Sequence, residues 1–176
     1  MKVVDYVEFK EGLPFYDMVC SFMVSLAACP SIFNPGNPMG LSKDGYVSVQ
    51  GILVQGRHFI PYDTYEQAQK GNISQAKFLK SCCCLLANTA YESVKEDDDK
   101  SPEFEFFRHI RNASSHQNVF HFFNSEPSRS ASWRSANIDL NSKGNMNPLH
   151  GKECFGSFIG IADLIDLLKD IEKKII

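Results

Sequence analysis

Ser101-Pro102-Glu103-Phe104-Glu105-Phe106-Phe107-Arg108-His109-Ile110-Arg111-Asn112-Ala113-Ser114-Ser115-His116 is the stretch on which the reading of the fold turns. It opens like a helix. Ser101 is a good N-cap, Pro102 suits the first helical position, and Glu103 favours the positive end of the helix dipole. Phe104, Phe107, Phe106, Ile110 and Ala113 supply an inward face, and the helix is predicted to run to Ser114 or His116. Its far end gathers Arg111, Asn112 and His116 within six residues.

Outward from this helix, three further segments carry helical periodicity. Phe15, Met18, Val19, Phe22, Met23 and Leu26 share one face over about 13–29, and Pro30 is expected to stop that helix. Leu79, Cys82, Cys83, Leu86, Ala90 and Val94 form a stripe over about 73–95, with Asn72 or Ser74 as cap. Phe155, Phe158, Ile161, Leu164, Ile165, Leu168 and Ile171 mark a last helix over about 152–174. The acidic run Glu96-Asp97-Asp98-Asp99 is poorly placed at a helix C-terminus and reads as a solvated linker.

The remaining segments are short. Residues 30–70, broken by Pro30, Pro35, Gly36, Pro38 and Gly40, read as a loop with a small inserted hairpin. Its strands are expected at Tyr46–Val49 and Gly51–Val54. Val119–Phe123 reads as extended, and Trp133 with Ala136–Leu140 as a returning strand. Residues 141–152 read as loop. No repeat of 20–50 residues is present. The expectation is an all-α fold, a single domain over 1–176 built as a bundle of four main helices.

Composition narrows the function. The chain has 176 residues, 43% apolar and 22% charged, as a soluble globular domain does. Fourteen Phe against one Trp need burial. A net charge of -3 argues against coating nucleic acid by bulk charge, so any RNA contact must be local. Met1-Lys2-Val3-Val4-Asp5 lacks the layout of a signal peptide, and the apolar stretch 18–29 is short for a bilayer span. A cytoplasmic protein with six reduced Cys is expected. Cys82, Cys83 and Cys84 fan around a helix and read as small core residues, and no Cys-x-x-Cys occurs.

Arg111-Asn112, three residues, then His116 resembles the signature of HEPN domains, which is Arg, four to six residues, then His, often with a polar residue after the Arg. The order of helices around it is similar, and Trp133-Arg134 resembles a feature of some bacterial HEPN families. The resemblance implies a metal-independent endoribonuclease with Arg111, His116 and Asn112 as catalytic residues and no cofactor. It also implies a composite site at a homodimer interface and products ending in 2',3'-cyclic phosphate. HEPN toxins often work beside an antitoxin protein, and a toxin or antiviral defence role rests on resemblance alone.

The chemistry stands without the family. Attack of an RNA 2'-hydroxyl on its own phosphate needs a proton acceptor, a proton donor and charge stabilisation. His116 can serve either proton role, and Arg111 offers a charged planar fork to phosphate oxygens. Five residues along a helix turn a side chain by about 140° and advance it by about 7.5 Å, so one chain's pair does not fully converge unless the helix ends before His116. A two-fold dimer solves this by bringing two motif ends together. Arg108, Trp133 and Arg134 are candidate substrate contacts, through phosphate or base stacking.

The plainer readings remain open. Arg111 could bridge a carboxylate, and His116 could cap the helix. Trp133 could anchor the core or an interface, and His109 and His121 could be structural or surface residues. His58 and His150 have no motif around them. The alternative function is a non-catalytic HEPN-like module that binds RNA, a nucleotide or a partner protein.

Overall fold

The structure is a computed structural model, and it describes residues 7–36, 40–53 and 55–176. The N-terminal five residues, Pro38 and Val54 therefore lie outside the described residues. The chain divides into two compact units, one of residues 1–23 with 80–176 and one of residues 24–79.

The larger unit is built on α4 (Pro102–Ser115). Ser101 caps it as expected, its hydroxyl accepting from the Phe104 N–H at 3.3 Å, with Pro102 in the first turn. Phe104, Phe106, Phe107, Ile110 and Ala113 are fully buried along it. Four such large side chains on one helix give it apolar contact on most of its circumference, so it is the central element. Phe107 meets Phe15 edge-on at 6.5 Å and Tyr91 at 5.4 Å.

One wall of this core comes from α3 (Gln75–Val94), which buries Cys83, Leu86, Ala87, Ala90 and Val94. The three consecutive cysteines fan as expected, Cys83 inward and its neighbours half-buried. Burial pushes the Cys83 thiol up to about 12. A second wall is α5 (Ile161–Ile175), with Leu164, Ile165, Leu167, Leu168 and Ile171 buried.

The third wall overturns the all-α expectation. It is an antiparallel hairpin, β3 (Ala131–Trp133) with β4 (Ala136–Ile138), and β3 packs directly on α4. Ala131, Trp133 and Ile138 are buried, and the Trp133 ring lies 6.3 Å from Phe106. A bundle of four main helices needs helix surface on every side of α4, and this side is covered by strand instead. The fold is mixed: five α-helices and two small two-stranded antiparallel sheets among the described residues.

Helix bounds also move. The last helix starts at Ile161, because Gly156 adopts a left-handed conformation (φ 98°) that a continuing helix excludes. Gly160 then caps α5, its N–H donating to Asp163 Oδ2 at 2.7 Å. α1 (Tyr16–Phe33) passes through Pro30 to Phe33, since proline this near a C-terminus removes only one hydrogen bond. By length and composition alone, α1 is apolar enough to cross a membrane, and Val19, Phe22 and Cys29 on it are buried in the protein.

The smaller unit holds the second sheet, β1 (Val47–Val49) with β2 (Arg57–Phe59), antiparallel. A hairpin was expected here, but its second strand lies after Gly56, and 51–53 form its exposed end. A helix with no sequence expectation, α2 (Pro61–Gln69), follows. Gln69 Nε2 donates to the carbonyls of Ser31 and Ile32 at 3.2 and 2.7 Å, which satisfies the open end of α1.

Candidate functional site

The motif lies at the C-terminal end of α4. His116 is the C-cap residue, and its N–H donates to the carbonyls of Ala113 and Asn112, both at 3.1 Å. Two successive left-handed residues follow, Gln117 (φ 59°) and Asn118 (φ 67°), and they turn the chain sharply back. Side-chain hydrogen bonds hold this turn. Asn118 Oδ1 accepts from the Phe155 N–H at 2.7 Å, and Asn118 Nδ2 donates to the Phe155 carbonyl at 3.1 Å. Both bonds are buried, so the turn is fixed from inside the core.

After the turn, residues 119–123 run extended. The Phe120 N–H donates to the Lys152 carbonyl at 2.9 Å, and Phe120 and Phe122 are buried. Side chains alternate across an extended segment, so His121 and Phe123 point to solvent. This places the His121 ring 5.1 Å from the His116 ring. The His150 ring also lies 5.1 Å from that of His121. His150 Nδ1 accepts from the Phe122 N–H at 3.3 Å, which puts that ring's proton on Nε2.

Ser115, His116, Gln117, Val119 and His121 line a pocket of about 300 Å3. Both of its histidines are exposed. Among the described residues, no group of three or more His, Cys, Asp or Glu side chains is arranged to hold a metal ion.

Arg111 sits one turn earlier, facing α3. Its guanidinium forms a short ion pair with Glu92, and Nη1 donates to Asn112 Oδ1 at 3.2 Å. The group also lies over the Tyr91 ring at 5.6 Å, and its buried Nε has no hydrogen-bond partner. Hydrogen bonds from Lys95 and Arg111 hold the Glu92 carboxyl below the ordinary range. The structure thus brings Arg111 and Asn112 together, and gives His116 a separate set of neighbours.

Arg108 belongs to a different network. Nε and Nη2 donate to the two oxygens of Glu105 at 3.0 and 2.7 Å, and Nη1 donates to Glu126 at 3.0 Å. Arg129 reaches the same Glu105 at 2.6 Å and Asp98 at 3.0 Å, and His109 completes the ring at 3.3 Å. Burial pushes the Glu105 carboxyl up, but hydrogen bonds from His109 and Arg108 and the nearby cations outweigh it. The carboxyl is held well below the usual carboxylate range.

Trp133 is buried, with its indole N–H donating to Asp170 at 3.1 Å. Arg134 covers that ring at 4.3 Å and pairs with Asp166 at 2.7 Å. Neither residue lines the pocket at His116.

The residues that sequence reading set aside are His121 and His150. One signal for His121 was available: it alternates with Phe120 and Phe122, so it falls on the solvent face of the segment that follows the motif. No family model, curated protein or solved structure matches the chain.

Proposed function

We propose that the protein is a metal-independent endoribonuclease of the HEPN type, cleaving RNA by attack of a 2'-hydroxyl on the adjacent phosphate. The observation that carries this reading is the position of His116. It is an exposed imidazole at a helix end, on a pocket of phosphate-accommodating size, one turn beyond the Arg111–Asn112 pair. An imidazole moves protons near neutral pH, and a guanidinium stabilises the charge that builds on phosphate oxygens.

Within one chain, Arg111 faces Glu92 while His116 faces the pocket. A homodimer that joins two motif ends supplies the pocket with an arginine from the second chain. Asn112, already bonded to Arg111, orients that fork. A toxin or antiviral defence effector, held in check by an antitoxin, is the biological setting that the motif resemblance favours.

The test is incubation of the purified protein with labelled tRNA and total RNA, followed by analysis of the 3' ends. Cleavage that yields 2',3'-cyclic phosphate and survives EDTA is expected. It should be lost in Arg111→Ala and His116→Ala. Full activity in either variant sinks the assignment.

A second reading, a non-catalytic module that binds RNA, a nucleotide or a partner protein, is favoured by one observation. Arg108, Arg111, Arg129 and Arg134 are all engaged by carboxylates, which leaves little free positive charge around the motif. In that case RNA is bound and recovered intact.

A further inference from the structure

Among the described residues, His116 and His121 are the only titratable groups lining the 300 Å3 pocket, and their rings are 5.1 Å apart. A single imidazole at a phosphodiester can take a proton or give one, but the reaction needs both at opposite oxygens. Two neighbouring imidazoles on one pocket meet that need. The turn that makes them neighbours is also costly to build. Two consecutive non-glycine residues are held at positive φ, secured by both side-chain bonds of a buried asparagine.

We infer that His121 is a second proton-transfer residue of this site, so that one chain carries both the acid and the base. This rests on the ribonuclease reading above. One ring, neutral, accepts the 2'-hydroxyl proton as the O2'–P bond forms. The other ring, protonated, gives its proton to O5' as the P–O5' bond breaks. The products are a 2',3'-cyclic phosphate and a 5'-hydroxyl, and one proton has moved from ring to ring through the substrate. Exchange with water resets the pair, and no other reactant is consumed.

Both rings are exposed, so each can rotate to seat a phosphate between them. His150 is a positioning residue. Its Nδ1 accepts from the Phe122 N–H, and its ring lies 5.1 Å from that of His121. The dimer is then needed for arginine, not for histidine.

The experiment uses the full chain and an oligonucleotide that carries a cleavage site mapped in tRNA or total RNA. His121→Ala and His121→Gln are each expected to slow cleavage by about 100-fold or more, with melting temperatures unchanged because the side chain is exposed. A second oligonucleotide replaces the bridging 5'-oxygen by sulfur, a leaving group that departs without a proton. It should restore the variant lacking the acid, His116→Ala or His121→Ala, and leave the other impaired. Restoration of neither or of both overturns the inference. So does a His121→Ala rate within about threefold of wild type, since acid–base groups contribute far more. If His116→Ala is inactive in that case, only this inference falls. A wild-type protein that leaves every RNA intact, or a fully active His116→Ala, removes the ribonuclease reading and this one with it.

Discussion

Replacing Glu105 by Gln keeps the shape of the side chain and deletes one buried negative charge. Glu105 is fully buried and is the shared acceptor for Arg108, Arg129 and His109. Breaking a buried ion pair from one side costs about 3–5 kcal/mol, because the partner charge is left uncompensated. Here the loss is softened. Arg108 keeps Glu126, Arg129 keeps Asp98, and the two guanidinium side chains are 23% and 32% exposed. Water and the remaining carboxylates screen them, so the expected cost is about 2–3 kcal/mol. For a chain of this length that corresponds to a fall in Tm of about 4–12 °C. Thermal melting by circular dichroism, with urea titration alongside, measures it.

The pH dependence has a definite sign. The Glu105 carboxyl is lower in the fold than its ordinary value of 4.5. It therefore stabilises the protein at pH above that value, and the contribution is lost as pH falls through the folded range. The gap between wild type and Glu105→Gln is expected to be full at pH 7, to shrink below 4.5 and to close only in stronger acid. A variant that melts within about 2 °C of wild type at pH 7 refutes the view that this network holds α4 in place.

Three other outcomes are expected. Mixing Arg111→Ala with His116→Ala chains should recover about a quarter of wild-type cleavage, since half of randomly formed dimers carry one intact composite site; mixtures that stay inactive while exchanging subunits refute that site. Asn118→Ala removes two buried hydrogen bonds from a left-handed residue and should lower stability by about 2–3 kcal/mol by urea titration, with loss of cleavage as the turn before His121 loosens. Trp133→Phe loses the bond to Asp170 at about 1 kcal/mol and should leave the cleavage rate unchanged, because the indole is buried away from the pocket.

What could be read in advance follows from how local each signal is. The start of α4 is written in Ser101-Pro102-Glu103, three adjacent residues whose roles need no tertiary context. The β3–β4 hairpin has only three residues per strand, too few for period-two alternation to stand out, and it closes through Arg134 at φ 51° without glycine. A returning strand is legible at Trp133 and Ala136–Leu140, but nothing local says that the hairpin covers α4, which is why an all-α bundle is the expectation. α2 buries a single residue, Ala68, so it has no apolar stripe to find. Phe155 and Phe158 fit the spacing of the last helix, yet Gly156 and Gly160 separate them from it.

The site divides in the same way. Arg111 and Asn112 are adjacent in sequence, so their pairing could be anticipated, as could the separation of His116 from Arg111. Glu92 lies nineteen residues before Arg111, and its pairing depends on how α3 and α4 pack. The meeting of His121 with His116 and with His150 depends on a turn at Gln117 and Asn118; asparagine is prone to positive φ, but glutamine is not, so the double turn is not announced.

The ion pair between Arg111 and Glu92 has a thermodynamic consequence for any anion that uses this arginine. The guanidinium already carries an internal counterion, tethered to α3 and exposed to water. An arriving phosphate sheds its own condensed cation at Arg111, as it would at any arginine, but it must also displace the Glu92 carboxylate. The entropic gain from that ion release is therefore offset by the ion pair that is given up. Affinity at Arg111 becomes a competition between two anions for one fork. Raising the ionic strength weakens both competitors together, and the contest turns on geometry: which oxygens match the two-pronged face of the guanidinium more closely.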